Sequence, residues 1–314
     1  MKKLLLMLAL GAQACLVACS AMSAHAVAQR RPLEKTRHEY KTPTSYQPRL
    51  RGVDPKTGDP ITYDHKPRVE ALDAKTGRYA FKWVGFDGQE KTATFQTADA
   101  VDVTVAATVT KTASGEYLYT YEVKNLPSSG AYLKRFMIQN YAQDVAPEKS
   151  GDLMPFTMSK DVQGFGEGQW LSFADVSDDV QVDPGQTVRI HLTSPSPPGL
   201  VQCRASAQTV VEGTDEETPS DLESLMPGFD EYPHGFTIGP VERLQGLSPD
   251  ERTQYLLERL PQFRKLGWIT DEAASRYEEA LKTGGVGAVS GRAESDLKAE
   301  QITPEVFEII KAIG

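Results

Sequence analysis

"VDPGQTVRIHL", residues 182–192, contains a turn and the strand that follows it. Pro184-Gly185 is turn chemistry, with proline fixing φ and glycine accepting the conformations that other residues avoid. Behind it, Val188, Ile190 and Leu192 alternate with Thr187, Arg189 and His191. A period of two places the first set on a dry face and the second on a wet one, which is a half-buried β-strand. "AVDVTVAATV", residues 100–109, repeats the pattern with Val101, Val103 and Val105 against Asp102 and Thr104.

Between these two strands and just before them lie "RYAFKWVGF" (78–86), "EYLYTYEVKNL" (116–126), "LKRFMIQNY" (133–141) and "QWLSFADV" (169–176). Each is short and rich in aromatic or β-branched residues, and turn signals such as Asp87-Gly88, Ser114-Gly115 and Ser129-Gly130 separate them. Seven or eight such strands, with no helical period among them, predict an antiparallel β-sandwich over 69–211. "YTYEVKNL" and "VDPGQTVRIHL" resemble the immunoglobulin-like modules of exported bacterial proteins, over roughly 130 residues and without the paired cysteines of antibody domains.

The N-terminus reads as an export signal. Lys2 and Lys3 precede an apolar run, Leu4 to Ala12, too short to span a bilayer as a helix. Leu16-Val17-Ala18-Cys19 then resembles the lipobox of bacterial lipoproteins, which implies removal of residues 1–18 and lipidation of Cys19. Small-residue patterns ending at Ala26 and Ala28 offer a soluble secretory cut instead. Ser20 after the cysteine, rather than Asp, implies by the same resemblance an outer-membrane lipoprotein, with membrane contact through the lipid. Residues 19–68 are expected to be an extended spacer: seven Lys or Arg fall between 29 and 51, and Pro32, Pro43 and Pro48 oppose regular structure. "VDPKTGD" (53–59) and "LDAKTGR" (72–78) within and after it are tight turns.

Composition changes again at 212. Eight Asp or Glu and no Lys or Arg occupy 212–231, so 212–246 is expected to be an acidic linker between two bodies. Ser248-Pro249-Asp250-Glu251 is a capping box opening a helix that Pro261 interrupts, and Thr270 and Thr303-Pro304-Glu305 open two more. The expected class is therefore α+β: an antiparallel immunoglobulin-like β-sandwich followed by a small three-helix domain at 247–314. "LGWI" (266–269), the helix after it and "ITPE" (302–305) resemble the FIMAH-type helical modules of exported bacterial proteins over about sixty residues, which implies an accessory role and no site residues.

Chemistry is sparse. The sequence has no HExxH, CxxC, Gly-x-Ser-x-Gly or phosphate-cradling glycine loop, and its five histidines never fall at metal-ligand spacing, so no catalytic residue, cofactor or metal is expected. A net charge of -9 excludes a nucleic-acid backbone as the natural partner. Cys203 alternates with Val201 and Ala205 and is expected to pack as a small buried residue. Asp175, Asp178, Asp179 and Asp183 crowd one turn, read as solvated rather than as a calcium loop. Tyr117, Tyr119 and Tyr121 share a face, read as a buried stripe rather than a sugar platform. Two function classes remain. One is a non-catalytic envelope module binding a cell-wall or envelope protein or glycan. The other is a glycan-active hydrolase with a carboxylate pair drawn from Glu116, Glu122, Asp175 and Asp178.

Overall fold

The computed structural model describes residues 32–35, 49–63, 66–73, 76–147, 156–159, 169–175, 182–208, 211–214, 218 and 232–314. In chain order, β1 (Arg49–Val53) and β2 (Pro60–Tyr63) form a hairpin, and β3 (Arg68–Asp73), β4 (Arg78–Val84) and β5 (Glu90–Gln96) form a meander. Then come β6 (Val103–Lys111), β7 (Tyr117–Asn125), β8 (Leu133–Asn140), β9 (Ala146–Pro147), β10 (Phe156–Ser159), β11 (Gln169–Asp175), β12 (Thr187–Ser194) and β13 (Pro198–Ala207). The short β14 (Val211–Glu212) and β15 (His234–Pro240) precede the helices α1 (Pro249–Leu266), α2 (Asp271–Lys298) and α3 (Pro304–Ile313).

Two sheets make the sandwich, ordered β6-β7-β12-β9 and β15-β13-β8-β11-β10. The triplets β6-β7-β12 and β15-β13-β8 are the A-B-E and G-F-C arrangements of an immunoglobulin-like Greek key. Alternation generates its core. Tyr121 of β7 meets Phe136 of β8 across the sheets at 5.9 Å between ring centroids, and Phe136 lies 6.3 Å from Phe173 of β11. Val188, Ile190 and Leu192 point inward, as their period requires.

Three features of the strands and their connections differ from the sequence reading. "RYAFKWVGF" is not a sandwich strand: β4 joins β5, β3 and β14 in a separate four-stranded sheet, where Tyr79, Phe81, Trp83, Ala93 and Phe95 form a core of their own. Four aromatics on one face, Tyr79, Phe81, Trp83 and Phe95, give a small sheet enough apolar surface for its own cluster. Within the expected spacer, residues 49–63 form the β1–β2 hairpin and Glu34 bridges His234. The linker expected over 212–246 also ends earlier, because β15 pairs with β13 from Arg204↔His234 to Pro198↔Pro240.

The helices are not a second body. One apolar core runs from the sandwich interior through Leu244 and Tyr255 to Val306 and Ile313. α3 packs on β6, β13 and β15, and the buried Glu305 carboxylate accepts the Ala107 N–H, 3.4 Å away, from edge strand β6. A covered edge cannot recruit another strand. Gly199 permits the close approach of α1: a Cβ there would lie 2.7 Å from Val241 Cγ2 and 3.1 Å from the Tyr255 hydroxyl.

The capping box forms as expected, Ser248 accepting the Glu251 N–H while the Glu251 carboxylate accepts the Ser248 N–H. Pro261, however, does not end α1, which continues to Leu266. Its ring lies on the exposed side, where a helix can bend to accommodate the missing donor. α2 breaks at Gly285, whose φ of 64° and ψ of -163° only glycine adopts comfortably. Gly285→Ala should therefore lose about 1–3 kcal/mol in urea unfolding. Gly287→Ala is the control, since a Cβ there meets nothing within 4 Å; equal losses in both variants would mean the break carries no strain.

Candidate functional surface

The outer face of the β6-β7-β12 sheet is polar and open. Register aligns it in four rungs: Thr104–Lys124–Thr187, Ala106–Glu122–Arg189, Thr108–Thr120–His191 and Thr110–Leu118–Thr193. These residues alternate out of phase with the core strands' apolar set, so the same periodicity that fills the interior builds this grid. Thr120 Oγ1 and His191 Nδ1 are 2.9 Å apart. On the next rung Arg189 Nε and Nη2 donate to Glu122 Oε1 at 2.9 and 2.8 Å. Hydroxyls, an imidazole, a guanidinium and a carboxylate are thus held at strand spacing, an arrangement suited to hydrogen-bonding a polar partner. The exposed ion pair itself contributes little stability.

Of the carboxylates considered for hydrolysis, Glu116 and Glu122 stand six residues apart, in the β6–β7 turn and in β7. Glu122 is engaged by Arg189 on this face, and Glu116 sits in the exposed β6–β7 turn accepting from Ser114 Oγ at 3.2 Å. Asp175 closes β11 opposite Phe156, and Asp178 lies outside the described residues. A protonated carboxylic acid needs an apolar pocket, and the turn and the ion pair are both polar settings.

Of the four-aspartate turn, Asp178 and Asp179 lie outside the described residues. Asp183 is exposed, its N–H donating to Gln186 Oε1. Among the described residues no group of three His, Cys, Asp or Glu side chains is placed to hold a metal ion. No described helix is long and apolar enough to cross a membrane. Cys19 lies outside the described residues.

Tyr119 and Tyr121 are fully buried, and the Tyr119 hydroxyl donates to the Ser196 carbonyl at 2.7 Å. Burial drives both phenols well above their ordinary range. The stripe is core, continuing to Val123. Cys203 is also fully buried, beside Tyr121, and burial pushes its thiol up to about 12. It therefore stays protonated, and in native protein at pH 8 a maleimide should leave Cys203 unmodified while denaturant exposes it to stoichiometric reaction. Rapid native labelling in a mass spectrum would contradict this packing.

Sequence reasoning missed one feature entirely. Leu33 N–H donates to the Val103 carbonyl at 2.8 Å, and Glu34 exchanges backbone hydrogen bonds with His234 at 2.8 and 2.9 Å. Two adjacent residues thereby stitch the edge of one sheet, β6, to the edge of the other, β15. The only local signal was Leu33, the one large apolar residue amid charges between Arg30 and Glu39.

No family model matches the chain, and no curated protein matches it. Among solved structures it is similar to an uncharacterised protein from Nocardia farcinica with an immunoglobulin-like fold. That likeness has 14% identity and a TM-score of 0.26, and covers 42% of this chain and 95% of the other. The strand order carries the fold assignment.

Proposed function

We propose that this chain is a non-catalytic module of the bacterial cell envelope, held at the outer membrane by lipid on Cys19 and presenting the sandwich to an envelope protein or cell-wall glycan. The observation that carries the reading is Leu16-Val17-Ala18-Cys19 directly behind the apolar run of the leader. Diacylglycerol on the sulfur and a third acyl chain on the new amino group bury many methylenes at ~0.8 kcal/mol each, so dissociation is negligible. The polar grid of Thr120, His191, Glu122 and Arg189 supports the binding half of the reading, because it offers directional contacts on an open sheet face.

Cys19→Ala tests it. Without the thiol no lipid attaches, while the secretory patterns ending at Ala26 and Ala28 survive. The parent should partition into detergent phase and the variant should appear in the soluble fraction. A parent that is already soluble, with an N-terminus at Val27 or Gln29, would refute the anchor.

A further inference from the structure

We infer that the tether ends at Leu33, so that the lipid-anchored module works close to the bilayer and residues 36–68 add nothing to its reach. The inference rests on the lipid-anchor reading and adds the length of the anchor's arm. A spacer counted from composition would run from Ser20 to Arg68. The backbone forbids that count, because the chain is fastened to both sheets long before β3 begins.

The fastening has four parts. Leu33 N–H meets the Val103 carbonyl, and Glu34 and His234 exchange N–H···O bonds, so β6 and β15 are each engaged by adjacent residues. Lys35 Nζ pairs with Asp102 Oδ1 at 2.7 Å, with both side chains about one-third exposed or less. The Leu33 side chain is buried at 9% exposure and seated over Gly235, where a Cβ would come within 2.7 Å of its Cδ2. Backbone bonds set the register and the leucine supplies the apolar seal.

Thirteen residues, 20–32, separate Cys19 from this fastening. Their covalent geometry limits them to a span of at most roughly 45 Å. Residues 36–68 come after the fastening and before β3, so their length does not lie between Cys19 and the point where the chain joins the two sheets.

The test uses the mature chain beginning at Cys19, coupled through that thiol to a maleimide-headgroup lipid in neutral phosphatidylcholine vesicles. Cys203 does not compete, being fully buried. A donor dye on an unnatural residue replacing the exposed Lys311 reports energy transfer to acceptor headgroups. A twenty-residue Gly/Ser insert between Ala26 and Val27 should add a flexible segment of roughly 25 Å root-mean-square to the arm and lower transfer at least two-fold. The same insert between Thr42 and Pro43 should leave transfer unchanged. In Leu33→Asp, which buries a charge in the apolar seat, the Thr42/Pro43 insert should begin to lower transfer. Two outcomes overturn the inference: equal loss from both inserts in the parent, or no loss from the upstream one. Chemical coupling attaches the chain whether or not cells acylate it, so failure of the anchor reading shows separately, as a soluble parent in the Cys19→Ala comparison.

Discussion

A chain ending at Gln245 should fail to fold into the sandwich, although every β-strand is still present. Without α1 to α3 the core loses Tyr255, Phe263, Tyr277, Val306, Ile309 and Ile313, each no more than 7% exposed in the whole protein. Burying one such side chain is worth about 1.5–3 kcal/mol, and a domain's entire margin is about 5–15 kcal/mol. Part of that burial is among the helices themselves, but α3 also covers β6, β13 and β15, and the Ala107 N–H loses Glu305. Calorimetry of the full chain should show one transition for sandwich and helices, and the truncated chain should show lost near-ultraviolet dichroism and dye-binding apolar surface. Nicking between Thr214 and Tyr232 should leave two fragments that co-elute in gel filtration. A truncated chain melting as cooperatively as the parent would restore the picture of two independent bodies.

Phe136→Ala should cost about 3–5 kcal/mol, a large share of a margin of about 5–15 kcal/mol in a single change. Phe136 is fully buried on β8, between Tyr121 of the facing sheet and Phe173 of its own, so truncation opens a cavity where the two sheets meet. Its neighbours are strand residues held on both sides by ladder bonds and cannot collapse into the space. Phe136→Leu retains most of the volume and should recover well over half of the loss. The midpoint of urea unfolding distinguishes these outcomes; a loss under about 1 kcal/mol for alanine would mean that the ring does not fill the intersheet space.

Local chemistry made a large part of this protein legible. Period-two alternation in "TVRIHLTS" and "YLYTYEVKN" fixed which residues face inward, and both the tyrosine stripe and Cys203 lie where that period puts them. Ser248 and Glu251 announced the start of α1 because a capping box satisfies its donors within four residues. The polar grid was also implicit, since Thr120, Glu122, Arg189 and His191 are the remainder once the inward set is removed. What the sequence did not announce was which face meets which partner. "HGFTIGP" has two glycines and no clean alternation, and it becomes β15 only because β13 pairs with it and the helices cover it.

A signal for the helical pairing did exist: Ile-Thr opens both α2 and α3, and Ile269 and Ile302 form an antiparallel bridge that ties the two helix starts together. The sequence by itself determined strand periodicity and helix starts, because each depends on residues within one turn or one strand. Tertiary structure alone decided that β3–β5 stand apart from the sandwich, that the helices share its core, and that Leu33 and Glu34 close its edge. The last two depend on backbone donors and apolar faces meeting across 70 to 200 residues of chain, where no local period records the partner.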